Sequence, residues 1–297
     1  MLNVVGNKKI YFTFSALAVG AAVAAISLYG FREGIDFRGG TLWQFSIRDN
    51  TPSIASLEAK LRDTLSQDDV RVNLDSTGAF LARFPEVPEE THQQYLAALK
   101  GSYPSFEEMS FASIGPSVGA ELRRKSVIAI ILVLVGISFY IAYAFRKASY
   151  PVSSWKYGWV TLLTLFHDVA IPAGLLAFLG SRYGVEIDGN FVVALLVVMG
   201  FSVHDTIVVF DRIRENVVLR GRKERFETVV NESVNQTLAR SVNTSLTLIL
   251  VLLALYFAGP EALHYFILTL LVGVTTGIYS SIFIASPLLI FFKGKQG

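Results

Sequence analysis

Residues 190–210 read NFVVALLVVMGFSVHDTIVVF, an apolar run interrupted by one adjacent ionisable pair, His204 and Asp205. A bilayer core of about 30 Å is crossed by ~20 apolar helical residues, so this stretch is long enough to span it. A charge at mid-bilayer costs at least ~2.5–3.5 kcal/mol by insertion scales, so Asp205 needs a partner or a path for water. Working outward, five further stretches have the same character: Tyr11–Tyr29, Val127–Phe145, Gly158–Gly180, Val242–Ala258 and Tyr265–Phe292. Gly158–Gly180 repeats the ionisable pair as His167 and Asp168. The pattern predicts six transmembrane helices. Composition agrees: 17% of residues are charged, against about 25% in soluble domains, and the mean hydropathy is +0.48. The chain has no cysteine, which excludes disulfides, thiolate catalysis and cysteine-based zinc sites.

The organisation expected is an N-terminus and first span over 1–30, a polar insert over 31–124, and five spans over 125–297. Small residues at Ala22, Ala24 and Ala25 could mimic a signal-peptide cleavage site. The run is longer than the ~7–15 residues of a signal h-region, which favours a retained span. Lysine and arginine near the span ends set the orientation. One side collects Lys8, Lys9, Arg146, Lys147, Lys156, the arginine-rich segment after Phe210, Lys293 and Lys295, whereas the opposite short loops hold only Arg182. Both termini are therefore expected in the cytoplasm and the insert outside it.

Within the insert, Thr41–Ile47 alternates around Leu42, Trp43 and Phe45 as a strand does. Ser53–Gln67 reads as a helix with Ile54, Leu57, Leu61 and Leu65 as its apolar stripe. Val70–Leu74 and Ala79–Phe84 read as strands joined by a turn at 75–78, Glu89–Tyr103 as a helix and Glu108–Ile114 as a last strand. The order βαββαβ is ferredoxin-like, a fold that assigns no function. His92 reads as a solvated helix residue.

Arg240 begins the fifth span, and Asn243, Thr244 and Thr247 extend a polar stripe from it. Asp205 and Arg240 lie at similar depth on sequential helices, so a pair is expected. Beside a guanidinium an aspartate stays ionised; with the guanidinium withdrawn, desolvation favours the protonated form. A static ion pair holding helices together is the other reading. Thr161 and Thr164 share a helical face with Asp168, and Pro172 predicts a kink one turn on. Gly200 and Ser202 predict a close helix approach. Two His-Asp pairs could hold a metal if they converged, but neighbours on a helix point ~100° apart, so no metal site is expected. An intramembrane aspartyl protease is not expected either, because Phe201-Ser202-Val203-His204 precedes Asp205 in place of Gly-x-Gly. Residues 211–240 include an amphipathic stretch, Phe226, Val229, Val230, Val234 and Leu238, expected to lie along the cytoplasmic interface.

Several segments together resemble the SecF family of protein-export membrane proteins, within the RND superfamily. GIDFRGG at 34–40, with Gly34, Asp36, Phe37, Gly39 and Gly40, is similar to a glycine signature shared by SecD and SecF. ASIGPSVG at 112–119, with Gly115, Pro116 and Gly119, is similar to a second shared motif. The most specific match is FSVHDTIVVFDRIREN at 201–216, which carries Asp211, Arg212, Arg214, Glu215 and Asn216. NES at 231–233, TLARS at 237–241 and GIYSSIF at 277–283 also fit. The resemblance implies half of an RND-type bundle, six helices with one extracytoplasmic domain between the first two, and no enzymatic activity. It implies SecD as a pseudo-symmetric partner, and the SecYEG translocon and preproteins as further partners in the bacterial inner membrane. No cofactor is implied beyond a coupling ion, H⁺ or Na⁺; membrane lipid surrounds the chain, and nucleic acid is not expected. The family's intramembrane acid and arginine map onto Asp205 and Arg240. His204 replaces an Asn common in the family; it could titrate in a relay or bond across helices. Asp168 is a further ion-coupling candidate, without a family role carried onto it. A passive assembly subunit and one half of a small-molecule exporter are the competing functions. The glycine motifs read either as hinges that let the domain tilt or as plain linkers.

Overall fold

The computed structural model describes residues 1–48, 51–66, 69–74, 78–146, 152–220 and 224–293. The chain divides into two compact units, one of Met1–Arg32 with Ile128–Gly297 and one of Glu33–Val127.

The larger unit holds the apolar helices. α1 covers Lys8–Tyr29; the short α2, Ile35–Arg38, belongs to the inserted unit together with α3, Ile54–Leu65, and α4, Glu89–Ser102. α5 is Pro116–Ala144, α6 Ser154–Tyr183, α7 Gly189–Arg220 and α8 Phe226–Ala258. The last span starts in a 3₁₀ turn at Glu261–Leu263 and continues as α9, His264–Ser280. A π-helical turn at Ser281–Ala285 and α10, Ser286–Phe291, complete it. Among the described residues, these six spans are long and apolar enough to cross a membrane. α6, α7 and the last span form the interior, while α1, α5 and α8 turn most of their surface outward. α6 runs through Pro172 without a break and ends where Gly184 adopts φ +74°, donating its N–H to the Gly180 carbonyl.

Small residues set the helix approach. A Cβ at Gly273 would lie 2.2 Å from Val198 Cγ2, and one at Gly174 would lie 2.4 Å from Ala22 Cα. Gly277 backs onto Ser202, as a close approach at Ser202 requires, but Gly200 faces open space and packs nothing.

Among the described residues of 211–240 there is no separate interfacial helix. α7 continues ten residues past Phe210, and α8 begins at Phe226, sixteen residues before the apolar run that marks its span. The amphipathic face that suggested an interface is buried against protein instead: Phe226, Val230 and Val234 join Phe210 and Ile213 in the main core. An apolar stripe shows that a face is covered without showing whether lipid or protein covers it.

The inserted unit has the order βαββαβ after α2. Its elements are β1 Gly40–Ile47, α3 Ile54–Leu65, β2 Arg71–Leu74, β3 Phe80–Phe84, α4 Glu89–Ser102 and β4 Phe106–Ile114. The turn expected at 75–78 falls mostly on residues 75–77, outside the described ones. The sheet runs β2-β3-β1-β4, all neighbours antiparallel, with Trp43 opposite Ala82 on one side and Phe111 on the other. A register shift between Gln44 and Phe45 bends the β1–β4 pair. Alternation on β1 sends Trp43, Phe45 and Ile47 into the core, where Leu57, Leu61 and Leu65 of α3 meet them. Ile54, expected on that stripe, is exposed in the first turn of α3.

His92 is buried, not solvated. Its ring stacks on Phe111 at 3.6 Å and meets the edge of Trp43. Its Nε2 lies 2.7 Å from Glu108, which also accepts the Trp43 Nε1–H at 2.8 Å. Glu89 flanks the other ring nitrogen. Its carboxyl is held below the ordinary glutamate range, first by a hydrogen bond from Gln93 and then by His92.

The two glycine motifs pack on each other and are not loose linkers. Gly39 and Gly40 have φ +77° and +116°, open to glycine and strained for other residues. A Cβ on Gly39 would lie 2.7 Å from Pro116 Cα, and one on Gly119 would lie 2.9 Å from the Gly39 nitrogen. Gly34 begins α2, its carbonyl accepting from Phe37 and Arg38, and Phe37 is buried. Gly115 lies against Glu86.

Candidate functional site

Two buried aspartates, Asp168 on α6 and Asp205 on α7, organise much of the polar contact inside the bundle. Asp168 on α6 is fully buried. Its Oδ2 accepts from the hydroxyls of Ser202 on α7 and Ser280 on α9, the latter at 2.7 Å. Its Oδ1 lies 2.8 Å from His167 Nδ1. One carboxylate thus ties three helices together. Thr161 and Thr164, which share its face, bond instead to carbonyls of their own helix, as helical threonines do.

The next residue along the last span extends the knot. Ser281 exchanges a 2.8 Å hydrogen bond with Thr206 on α7. The π turn opens at Ser281, whose carbonyl accepts from the Ser286 hydroxyl five residues on, at 3.0 Å. Wide turns of this kind leave carbonyls that side chains can reach, and they occur often at functional positions.

Asp205 lies one helical turn from Ser202 and is 2% exposed. Its Oδ2 accepts a hydrogen bond from the Ser245 hydroxyl of α8 at 3.1 Å. The expected pair with Arg240 is not formed. Arg240 sits five residues before Ser245, about 7.5 Å along the axis, and a step of five turns it ~140° away from the Ser245 face. It is exposed, as are Asn243, Thr244 and Thr247, so the predicted stripe exists but turns outward. His204 is exposed too, on the outer face of α7. Among the described residues no three His, Asp or Glu side chains gather as a metal would need.

Arg240 lines a cleft of about 320 Å³ between α7 and α8, with Asp211, Arg212, Glu215, Gln236 and Thr237. Arg212 donates to Gln236 and to Glu215, both at 2.6 Å. Asn216 donates to Ser233 and Gln236, and Arg214 pairs with Asp211. Arg220 closes the hairpin against Glu232. The residues from Asp211 to Asn216 therefore brace the projecting ends of two helices and form the cleft mouth. The start of the chain is fastened to the same end of α8. Asn235 accepts from the Leu2 N–H at 2.7 Å, Asn231 accepts from the Val5 N–H at 3.1 Å, and both donate to the Leu2 carbonyl.

The serines that hold Asp168 and Asp205 escaped the sequence reading. Hydroxyls are too common in apolar helices to point to a carboxylate without the fold.

Among the described residues, six apolar spans, acids at mid-helix and one inserted ferredoxin-like domain define a multi-pass membrane protein. The model of the C-terminal region of the protein-export membrane proteins SecD and SecF matches residues 94–295. The protein translocase subunit SecF of Thermobaculum terrenum is 44% identical over all of this chain and 95% of its own length. The protein translocase subunit SecDF of Thermus thermophilus is 33% identical over 99% of this chain and 39% of its own. The crystal structure of SecDF from the same organism superposes with a TM-score of 0.81, covering 98% of this chain and 38% of that one. This chain belongs to the SecD/SecF family of protein-export membrane proteins.

Proposed function

We propose that this chain is the SecF-type subunit of a bacterial protein-export complex. It works with a SecD-type partner and uses a gradient of H⁺ or Na⁺ to promote late preprotein translocation through SecYEG. The observation that carries the reading is Asp205, a carboxylate buried in a membrane-spanning helix and bonded to a neutral hydroxyl, with the guanidinium-bearing Arg240 lining an adjacent open cleft. A buried carboxylate without a cationic partner favours the protonated form, and one met by a guanidinium favours the ionised form. Exchange between the two arrangements would let one proton be taken up and released per cycle; for Na⁺ the same carboxylate would be the ligand.

The exposed polar stripe of Arg240, Asn243, Thr244 and Thr247 is costly against lipid and suits a second membrane protein. A SecD-type subunit covering this face would complete a pseudo-symmetric bundle. The fused SecDF relatives, of which this chain spans just over a third, support that pairing. The lysine and arginine distribution supports the inner membrane with both termini cytoplasmic and the ferredoxin-like domain outside.

The test is Asp205→Asn in the assembled complex. Gradient-driven export should be lost while the SecD-type partner still co-purifies. Undiminished gradient-driven export by a well-assembled variant would instead make the chain a passive assembly subunit.

A further inference from the structure

Ser241 is 2% exposed, and its hydroxyl has no hydrogen-bond partner among the described residues. Buried hydroxyls are nearly always bonded, and one in a helix usually turns back to the carbonyl four residues earlier. Ser233 and Thr237 of the same helix do so. Thr237, Ser241 and Ser245 recur every fourth residue, on one buried face of α8. Ser245 at one end of the row donates to Asp205, and Thr237 at the other end lines the cleft. On α7 the same direction is marked by Asp205, Val208 and Arg212, the last two lining the cleft as well. The row therefore runs from the buried carboxylate to an open polar mouth.

We propose that Ser241 is the relay position through which Asp205 exchanges protons with the cleft between α7 and α8. This rests on the reading of Asp205 as the coupling carboxylate. Hydroxyls four residues apart stand about 6 Å along the axis, too far to bond directly and the right span for one bridging water. In the inward step the Ser245 hydroxyl proton passes to Asp205 Oδ2. Water held by Ser241 reprotonates Ser245, and a hydronium ion in the cleft reprotonates that water. One carboxylate becomes a carboxylic acid and one hydronium becomes water; every O–H bond broken is matched by one formed, with no oxidant or reductant. Arg240, one residue from Ser241 but turned ~100° from it, stands at the mouth, and its charge opposes the standing presence of hydronium there.

The test uses the chain assembled with its SecD-type partner in sealed vesicles loaded with a pH-sensitive dye. Ser241→Ala should slow gradient-driven proton flux at least about tenfold, less than the ~10²–10⁴ typical of losing a direct proton donor or acceptor, because water remains. Ser241→Thr, which restores the hydroxyl, should recover it. Native flux in Ser241→Ala, with Asp205→Asn inactive, would overturn the relay while leaving the coupling role standing. Native flux in Asp205→Asn would remove the coupling role itself. A second measurement survives poor assembly of the alanine variant. The chain is free of cysteine, so Ser241→Cys can be titrated with a small charged methanethiosulfonate against Ser233→Cys, a bonded and fully buried position. Faster labelling at 241 supports the path, and equal protection at both positions overturns it.

Discussion

Replacing Asp168 by leucine removes the acceptor for three donors at once: the Ser202 and Ser280 hydroxyls and His167 Nδ1. Hydrogen bonds to a charged group contribute about 1.5–3 kcal/mol each, and a donor left buried and unpaired costs ~1–3 kcal/mol. These terms overlap, so three donors stranded at ~1–3 kcal/mol each bring the total to about 3–5 kcal/mol. That is the expected loss for Asp168→Leu. The same reasoning predicts recovery when the stranded donors are also removed. Adding Ser202→Ala and Ser280→Ala to Asp168→Leu leaves an apolar contact among three helices and should return stability to within about 2 kcal/mol of native. The assay is reversible unfolding of the full chain in detergent, followed by tryptophan fluorescence or helicity, with each 1.4 kcal/mol appearing as a tenfold change in the folded-to-unfolded ratio. A triple variant as unstable as Asp168→Leu, or more so, would refute the argument. It would mean that the serines contribute by packing and that the carboxylate does not hold the knot.

Three further outcomes follow from other contacts. Gly273→Ala forces a Cβ to 2.2 Å from Val198 Cγ2, so it should cost about 1–3 kcal/mol by overpacking, and Val198→Ala should restore most of it in the same unfolding assay. Trp43→Phe strips the indole donor from Glu108 beside a fully buried ring, which should cost roughly 1–3 kcal/mol and appear as faster amide exchange along β1 in the intact chain. The depressed carboxyl of Glu89 stabilises the inserted domain above the ordinary glutamate range, and that contribution is lost as pH falls through the depressed value. Gln93→Ala should raise the Glu89 midpoint toward the ordinary range in an NMR titration, and an unchanged midpoint would remove Gln93 as the leading cause.

The inserted domain was legible because its signals are local. Period-two alternation marked β1, and leucines at helical spacing marked α3, with Ser53 as its N-cap. The spans were legible from apolar length, yet their ends were not. α7 and α8 outrun their apolar cores because polar residues such as Arg212, Asn216 and Gln236 bond each other across the hairpin, which no hydropathy window detects. Asp205 was recognisable as exceptional from the cost of a charge in lipid. Its partner was not: depth along a helix suggested Arg240, while rotation about the axis selected Ser245. His92 escaped for a similar reason: Glu89 lies one turn away on its own helix, but Glu108 and the stacked Phe111 come from β4 and Trp43 from β1.

The wide turn at Ser281–Ala285 amounts to one surplus residue threaded into the last span. One residue is ~100° of rotation in an α-helix, so everything beyond Ala285 is phased differently from what an uninterrupted helix would present. Such a surplus need not stay where it is. If it migrates along the backbone, the stretch it crosses swivels and rises by a step while both ends of the span stay anchored, much as a ruck travels down a carpet. Deleting a single residue between 282 and 284 would straighten the helix and freeze that freedom, and the chain's tolerance of the deletion would measure how far it depends on a span able to turn within itself.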